Sequence, residues 1–275
     1  MRPILTLAAS SLLLMAGAGG AHAPAPTHHC IVITDQQAGT TWRSDASACA
    51  TRLAPASTFK IPHALVALET GVIAPDTVEK WDGTKYPNYP LWQRDHTVVS
   101  AMRPSVVWFF QRIAPRVGAA RMHDWLTKLH YGNASTAGDV TTYWINGTLR
   151  VSPDEQAAFL QALHGERPPF ARERIDLILG ALAQPAAAIE NANGVTQLDV
   201  AKGAWPKDAA WRAKTGRTQF DGRRVNWLVG DLTVGKRSYV FASAVWRDGA
   251  DIAAVDAAQR ALTTFVARGL LRPAK

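Results

Sequence analysis

Cysteine is scarce in this sequence, and apolar runs of membrane-spanning length are lacking after the N-terminal segment. Among 275 residues only Cys30 and Cys49 are cysteines, and neither follows the N-terminal apolar run closely enough to indicate a lipoprotein. Internal repeats, low-complexity tracts and a clear linker are also lacking. These absences argue against a repeat architecture and a membrane-spanning body. A chain of this length can bury a substantial core without covalent staples.

Acidic residues are the minority among the charged ones. The chain has 22 Asp and Glu against 30 Lys and Arg, a net charge of +8. This balance favours anionic surfaces of the cell envelope or small anionic substrates as partners. Nucleic acid is not expected, because the basic residues are scattered rather than clustered on one segment. With 47% hydrophobic and 19% charged residues, the composition is that of a globular protein.

Residues 1–23 have the pattern of a cleavable signal peptide. Arg2 supplies the positive charge, and the apolar segment 4–15 is too short to remain as a membrane anchor. Ala21-His22-Ala23 fits the small-x-small cleavage pattern, and an earlier cut stays open. We therefore expect an exported, soluble, periplasmic protein. Its mature part, residues 24–275, is expected to be a single domain without a membrane span.

The two cysteines suit an oxidising compartment, where thiols tend to pair. A bridge between Cys30 and Cys49 would close a short loop near the new N-terminus and stabilise the fold by about 2–3 kcal/mol. The alternative is two separate buried thiols.

The predicted secondary structure runs from strands through a long helical block to strands and a last helix. Strands are predicted at 30–34, 40–43, 211–216, 225–234 and 237–245. Helices are predicted at 57–69, 105–115, 117–130, 153–164, 170–183 and 252–268. Strands from both chain ends can form one antiparallel sheet with helices packed beside it. We therefore predict a mixed α/β fold of the α+β class, in which an all-helical subdomain is inserted into the sheet domain.

The first chemical motif is S-x-x-K, formed by Ser57 and Lys60 in the stretch PASTFKIPHAL. Residues three apart share one face of a helix, so the lysine can reach back to the serine. A serine becomes a nucleophile when a base takes its proton, and desolvation by neighbours such as Phe59 and Ile61 favours a neutral lysine. The helix N-terminus favours a developing oxyanion. Taken alone, the motif fits a capping serine and a solvated lysine better.

Three further motifs are each unremarkable in isolation. Ser105-Val106-Val107 opens a predicted helix, where the serine is either an N-cap or a proton relay. Lys214-Thr215-Gly216 lies on a predicted strand, where glycine can mark a close backbone approach and the polar pair can hold a carboxylate. A strand ending in a turn is the alternative. Tyr131-Gly132-Asn133 joins a helix to a loop, with Gly132 as a C-cap signal, and we assign it a structural role.

In this order and spacing the four motifs resemble those of the penicillin-recognising serine enzymes, and more narrowly the class D, or oxacillinase-type, β-lactamases. Further stretches are similar to that family at 81–83, 92–107, 143–156 and 226–232. The resemblance covers about residues 28–272. It implies a β-lactamase/transpeptidase-like fold and hydrolysis of β-lactam antibiotics through an acyl-enzyme on Ser57.

The resemblance also implies roles for individual residues. Lys60 takes up CO₂ and, as the carbamate (N6-carboxylysine), is the general base for acylation and deacylation. Trp144 donates its indole N–H to the carbamate, although one tryptophan among ten would otherwise be assigned to the core. Val107 keeps the lysine pocket dry. Ser105 and Lys214 relay a proton to the leaving nitrogen.

Substrate contacts follow from the same resemblance. The backbone N–H groups of Ser57 and Arg217 form the oxyanion hole. Thr215 and Gly216, with Lys214, hold the substrate carboxylate. The family often adds an arginine from the last helix, and Arg260 is the nearest candidate although it lies about one turn late; Arg247 is another candidate. CO₂ or bicarbonate is the only small molecule implied besides the substrate, and no metal is implied.

Some positions depart from the family pattern. Asn146 stands where glutamate is common, and Pro104 replaces a common aromatic residue. Segment 217–224 is unusually basic, which leaves the β-lactam preference open, as the oligomeric state is.

Two rival functions share these motifs. A β-lactam sensor stays acylated without turnover, and the leader with no further apolar span disfavours it. A cell-wall transpeptidase or carboxypeptidase is disfavoured by the stretch around Trp144 and by the S-V-V form of the second motif. An envelope-binding protein with a dead site is disfavoured by the complete motif set.

Overall fold

The computed structural model describes residues 26–199, 205–249 and 251–272. The predicted signal peptide lies outside these residues, so its assignment stays a prediction. None of the helices in the described ranges is long and apolar enough to cross a membrane.

A five-stranded antiparallel sheet is built from both chain ends, as predicted. Its strands stand in the order β2-β1-β7-β6-β5. They are β1 (His28–Asp35), β2 (Thr41–Arg43), β5 (Ala209–Phe220), β6 (Arg223–Val234) and β7 (Arg237–Asp248). The N-terminal β1 pairs with the C-terminal β7 from His28 opposite Trp246 to Asp35 opposite Tyr239. A separate hairpin, β3 (Ala188–Asn191) and β4 (Gly194–Gln197), precedes the long strands.

Helices fill the segment between the strands of the two chain ends. They are α1 (Ala46–Ala50), α2 (Lys60–Glu69), α3 (Val98–Met102), α4 (Val107–Val117), α5 (Ala119–Lys128), α6 (Pro153–His164) and α7 (Arg172–Gly180), and α8 (Asp256–Ala267) follows the sheet. The start of α6 shows why these sequences are helical. Ser152 accepts from the backbone N–H of Glu155, whose side chain accepts from Ser152, and Pro153 occupies the first turn.

The core lies on both faces of the sheet, because side chains alternate along each strand. Cys30 and Val32 of β1 pack with the helical block, whereas Ile31 and Ile33 pack on the opposite face with α8. Each fully buried Ile or Leu side chain stabilises the fold by about 1.5–3 kcal/mol. The sheet is therefore held between two helical layers, and the helical block covers the face that carries the chemical motifs.

The cysteines are joined in the structure. Cys30 of β1 and Cys49 of α1 form a disulfide with a Cα–Cα distance of 5.1 Å and a sequence separation of 19 residues. A loop of that length corresponds to about 3 kcal/mol of stabilisation. The bond joins the short α1 to strand β1 of the sheet.

The short helices α1 and α3 and the β3–β4 hairpin were not predicted. The N-cap of α3, Thr97, forms a capping box with Ser100. The hairpin of β3 and β4 was also missed, although Asn193-Gly194 is a turn signal, and Gly194 adopts a positive φ of 96°.

Candidate active site

A cleft of about 170 Å³ opens where the helical block meets strand β5. Its wall is formed by residues from six places in the chain: Ser57, Tyr89, Trp92, Ser105, Val107, Asn191, Ala192, Asn193, Thr215, Gly216, Arg217 and Ala254. The two motif serines and the end of K-T-G therefore meet in one cavity, although they are far apart in sequence. The turn of the β3–β4 hairpin faces them from the other side.

Ser57 lies on a 3-10 helical turn, Ala56–Phe59, that leads directly into α2. Lys60 is the first residue of α2, and its Nζ lies 2.7 Å from Ser57 Oγ. The tight 3-10 spacing brings positions i and i+3 into line. The serine hydroxyl is thus in direct contact with a candidate base.

Lys60 is enclosed by rings and has no carboxylate partner among the described residues. It is 1% exposed, and its Nζ lies 5.4 Å from the ring centre of Phe110. Burial, and then the charge of Lys214, hold the pKa of Lys60 well below its usual value. This shift favours the neutral amine, which is the form that can react with CO₂ or accept a proton.

Ser105 pairs with Lys214 in the same way. Lys214 Nζ donates to Ser105 Oγ at 3.0 Å and to the Thr215 carbonyl oxygen at 3.0 Å. Burial lowers the pKa of Lys214 to about 7. Ser105 does not cap a helix: α4 begins at Val107, and no side chain caps its N-terminus. The N-cap alternative for Ser105 is therefore wrong.

Backbone strain accompanies both serines. Ala56, directly before Ser57, has φ 51°, and Ser105 has φ 60°. Left-handed conformations cost energy for residues with a Cβ and persist where the surroundings enforce them. Here Ala56 N donates to the Trp144 carbonyl at 2.9 Å and Ser105 N to Met102 at 3.1 Å. The fold therefore enforces the placement of both hydroxyl groups.

The glycine of K-T-G allows β5 to approach the serine turn. A Cβ at Gly216 would lie 3.0 Å from the Pro55 carbonyl oxygen and 3.1 Å from Thr58 Cγ2. This contact brings the backbone of Arg217, the next residue on β5, to the cleft beside Ser57. The side chain of Arg217 is exposed and lies 3.2 Å from Asp251, an open ion pair of small energetic value.

Trp144 differs from most buried tryptophans of this protein. It is fully buried, yet its Nε1 has no hydrogen-bond partner among the described residues. The indole groups of Trp92, Trp108, Trp211 and Trp227 each donate to a backbone carbonyl at 2.8–2.9 Å. The ring of Trp144 stacks on Phe59, between Ser57 and Lys60 in sequence, with centroids 5.6 Å apart.

The Tyr131-Gly132-Asn133 motif supports the site from behind. Tyr131 Oη donates to Gln156 Oε1 at 3.1 Å, and Gln156 Nε2 donates to Thr58 Oγ1 at 2.6 Å. Asn133 bonds the backbone at Thr148, and a Cβ at Gly132 would collide with the Arg150 carbonyl. The motif therefore braces the turn that carries Ser57.

Val107 and Arg260 have different surroundings. Val107 is half-buried and lines the cleft, and the ring of Phe110 lies over Lys60 Nζ. Arg260 bonds Asp256 at 3.1 Å and is not among the cleft-lining residues, whereas Arg217 is. The roles expected for Val107 and Arg260 stay predictions.

Sequence reasoning missed three contributors. His63 and Phe110 lie in the lysine pocket, and Gln156 links Tyr131 to the serine turn. The i+3 spacing of His63 from Lys60 was the available signal for the histidine. In the described part of the chain, His, Cys, Asp and Glu side chains do not gather into a set of three that could hold a metal ion.

Comparison with protein families gives one match over most of the chain. The family described as penicillin binding protein transpeptidase domain matches residues 29–264.

Individual relatives agree with this match. The probable β-lactamase YbxI of Bacillus subtilis is 30% identical over 220 residues, which cover 80% of this chain and 74% of that protein. The regulatory protein BlaR1 of Bacillus licheniformis is 31% identical over 193 residues, 70% of this chain and 29% of that protein. Among solved structures, a class D β-lactamase from Bacillus subtilis has a TM-score of 0.72 at 28% identity, covering 90% of this chain and 94% of that one.

Proposed function

Because the chain belongs to the class D β-lactamases, within the penicillin-binding transpeptidase domain family, we propose that it hydrolyses β-lactam antibiotics through an acyl-enzyme on Ser57. The observation that carries the proposal is the pair of serine–lysine contacts in one cleft, Lys60 with Ser57 and Lys214 with Ser105. In each pair the lysine Nζ lies within hydrogen-bond reach of the serine Oγ, and both serines line the same cleft.

Acylation begins at Ser57. Its proton passes to the base at Lys60, and Oγ attacks the carbonyl carbon of the β-lactam ring. The backbone N–H groups of Ser57 and Arg217 receive the developing oxyanion, a role supported by the close approach of Gly216 to Pro55. The C–N bond of the ring then breaks, leaving an ester on Ser57 and a ring nitrogen that needs a proton.

Ser105 and Lys214 supply that proton. Ser105 Oγ lines the cleft and accepts from Lys214 Nζ at 3.0 Å, so the hydroxyl can donate to the nitrogen and be reprotonated by the ammonium. A pKa of about 7 suits a group that gives and regains a proton near neutral pH. Thr215 and the side chain of Lys214 help to hold the substrate carboxylate.

The surroundings of Lys60 fit a carbamate. A carbamate supplies an anionic base in place of the neutral amine, and its formation requires an unprotonated lysine, which burial favours here. A buried anion needs donors, and the unpaired indole N–H of Trp144 is one. After acylation Lys60 passes the Ser57 proton to solvent, and Lys214 regains a proton from solvent. In deacylation Lys60 in this form takes a proton from water, the hydroxide attacks the ester carbonyl, and the C–O bond to Ser57 breaks as Lys60 returns the proton to Ser57 Oγ. CO₂ or bicarbonate is the only additional small molecule in this proposal.

A sensing role is the second candidate, because the relatives include the regulatory protein BlaR1. Sensing requires the same acylation but no hydrolysis of the ester. We also propose export to the periplasm and a single domain over residues 24–275, on the basis of the N-terminal pattern.

One assay separates these functions. Purified protein is mixed with a chromogenic cephalosporin in excess, with and without bicarbonate, beside Ser57→Ala. We expect many turnovers per enzyme, faster with bicarbonate, and none by Ser57→Ala. A stoichiometric burst that stops would replace hydrolysis by sensing or transpeptidation. Equal rates in wild type and Ser57→Ala would overturn the nucleophile assignment.

A further inference from the structure

His63 is a buried histidine without hydrogen bonds. It is 0% exposed, and neither Nδ1 nor Nε2 has a partner among the described residues. Leaving a buried polar group without a hydrogen bond lowers the stability of the fold. An apolar side chain of similar size would not have this effect. Packing alone therefore does not account for an imidazole at this position.

The ring of His63 lies in the pocket of Lys60. The two residues are three apart on α2, so their side chains share one face of the helix. The His63 ring centre lies 5.3 Å from that of Trp144 and 5.5 Å from that of Phe110, and Phe110 is the ring beside Lys60 Nζ. Phe110 therefore borders both Lys60 Nζ and His63, and the ring nitrogens of His63 and Trp144, which have no partner among the described residues, belong to the same buried cluster.

The protonation state of His63 suits a hydrogen-bond donor rather than a cation. Burial, and then the charge of Lys60, lower the pKa of His63 to about 3, so the ring is neutral at physiological pH. A neutral imidazole has one N–H and one acceptor nitrogen. It can donate one hydrogen bond without adding a second positive charge beside the amine.

We propose that His63 is a positioning residue for the carbamate of Lys60, and that its ring N–H and the indole N–H of Trp144 together hold the carboxylate group. This inference rests on the proposed function. In the reaction, the neutral Lys60 amine forms an N–C bond to CO₂, one proton is released to solvent, and the product carries one negative charge over two oxygens. Each carbamate oxygen then accepts a hydrogen bond from a neutral donor. The two N–H groups are no longer buried without a partner, which removes a destabilising feature of the unmodified protein.

If His63 holds the carbamate, replacing it by leucine should keep or raise the melting temperature but weaken carbamate formation on Lys60. Replacing His63 by leucine removes two unpaired nitrogens, so the protein depleted of bicarbonate should melt at the same temperature as wild type or higher. The same change removes a donor, so carbamate formation should need more bicarbonate. Asparagine, close to leucine in size, returns a donor N–H and serves as the matched variant.

The test is ¹³C NMR with ¹³C-labelled bicarbonate on wild type, His63→Leu, His63→Asn and Lys60→Ala. We expect a saturable carbamate resonance in wild type and none in Lys60→Ala. His63→Leu should require about tenfold more bicarbonate for half-saturation, in line with the loss of one hydrogen bond to a charged group. His63→Asn should lie close to wild type.

The outcomes separate this inference from the proposed function. A wild-type protein without a carbamate resonance overturns the base assignment and this inference with it. A wild-type resonance with unchanged half-saturation in His63→Leu overturns only the role of His63. The same holds if Asn and Leu weaken carbamate formation equally, because a donor would then not be what matters. Should His63→Leu fail to fold, a bicarbonate requirement of folded His63→Asn far above that of wild type is the overturning result.

Discussion

The cleft contains two serine–lysine pairs of nearly the same geometry in different surroundings. The Nζ–Oγ distances are 2.7 Å for Lys60 and Ser57 and 3.0 Å for Lys214 and Ser105, and both lysines are 1% exposed. Lys214 also donates to the Thr215 carbonyl. Lys60 Nζ lies instead over the ring of Phe110, which packs against His63, and His63 packs against Trp144.

This difference assigns the two lysines different chemistry. A carbonyl acceptor stabilises the ammonium form, which keeps Lys214 able to carry a proton at a pKa of about 7. Burial and the charge of Lys214 lower the pKa of Lys60, which favours the neutral amine, and N–H donors without a partner would stabilise the anion formed when that amine becomes a carbamate. One motif, a lysine beside a serine, thus yields a proton carrier or a base according to its neighbours.

The largest effect is expected from removing the two lysines one at a time. Lys60→Ala takes away the base of both half-reactions and should lower kcat by about 10⁴-fold, whereas Lys214→Ala removes one relay group and should lower it by about 10²-fold. Steady-state hydrolysis of a chromogenic cephalosporin measures both. Similar losses in the two variants would mean that the pairs do not differ in role.

The pH profile sharpens the comparison. The protonated form of Lys214 is the active one, so kcat/KM should fall as the pH rises through about 7. In Lys214→Arg the guanidinium keeps its proton, and this alkaline limb should move upward by at least about two pH units. A limb that stays in place in a folded Lys214→Arg variant would assign the titration to another group.

Trp144 and Trp227 provide a matched test of the Lys60 pocket, because both are buried but only Trp227 has a hydrogen-bonded indole N–H among the described residues. Trp144→Phe removes an unpaired buried donor, and we expect about tenfold more bicarbonate for half-maximal turnover. In Trp227→Phe the lost N–H is bonded to the Ala54 carbonyl at 2.9 Å, so stability should fall with no change in bicarbonate requirement. Equal bicarbonate responses of the two variants would remove Trp144 from the carbamate site.

Burial of the two lysines also makes folding stability depend on pH. Their folded pKa values lie below those of the unfolded chain, so the unfolded state binds more protons and stability rises with pH. For Lys214 the rise should span about pH 7 to 10.5. Urea unfolding at pH 7, 8 and 9 measures the slope, which should be flatter in Lys214→Met; an equally steep slope in that variant would contradict the assignment.

The smallest effect is expected behind the site, where polar groups are paired. Tyr131→Phe breaks the bond to Gln156 and should lower the free energy of unfolding by about 1 kcal/mol. Carbamate formation and kcat should stay within about twofold of wild type. Urea unfolding and turnover measure the two quantities, and a loss of bicarbonate affinity in this variant would show that the contrast between the two pockets is not local.

The sequence predicted the fold well where residues close together in the chain determine a helix or a strand. Ser152, Pro153 and Glu155 predicted the start of α6, and the strand segments predicted at both chain ends form the expected antiparallel sheet. The hairpin after α7 was missed although Asn193-Gly194 carries a turn signal, because its strands are only four residues long. Short elements depend on tertiary contacts that periodicity does not contain.

The candidate site was predictable as a set of motifs but not as a set of contacts. The spacing at Ser57 indicated the contact with Lys60, whereas the Lys214–Ser105 bond spans 109 residues. Ser105 was compatible with an N-cap until the structure placed it at φ 60°. Arg260 was assigned from its position on the last helix, and its ion pair with Asp256 could not be read from that position alone.

The most direct test of the difference between the two lysines is the recovery of bicarbonate-depleted enzyme. Wild type, Lys60→Ala and Lys214→Arg are depleted of CO₂ at acidic pH, returned to neutral pH, and assayed with increasing bicarbonate. We expect saturable recovery in wild type, recovery with the same half-saturation in Lys214→Arg, and none in Lys60→Ala. Full turnover by depleted wild type without bicarbonate would contradict the assignment of Lys60 as the carbamate base.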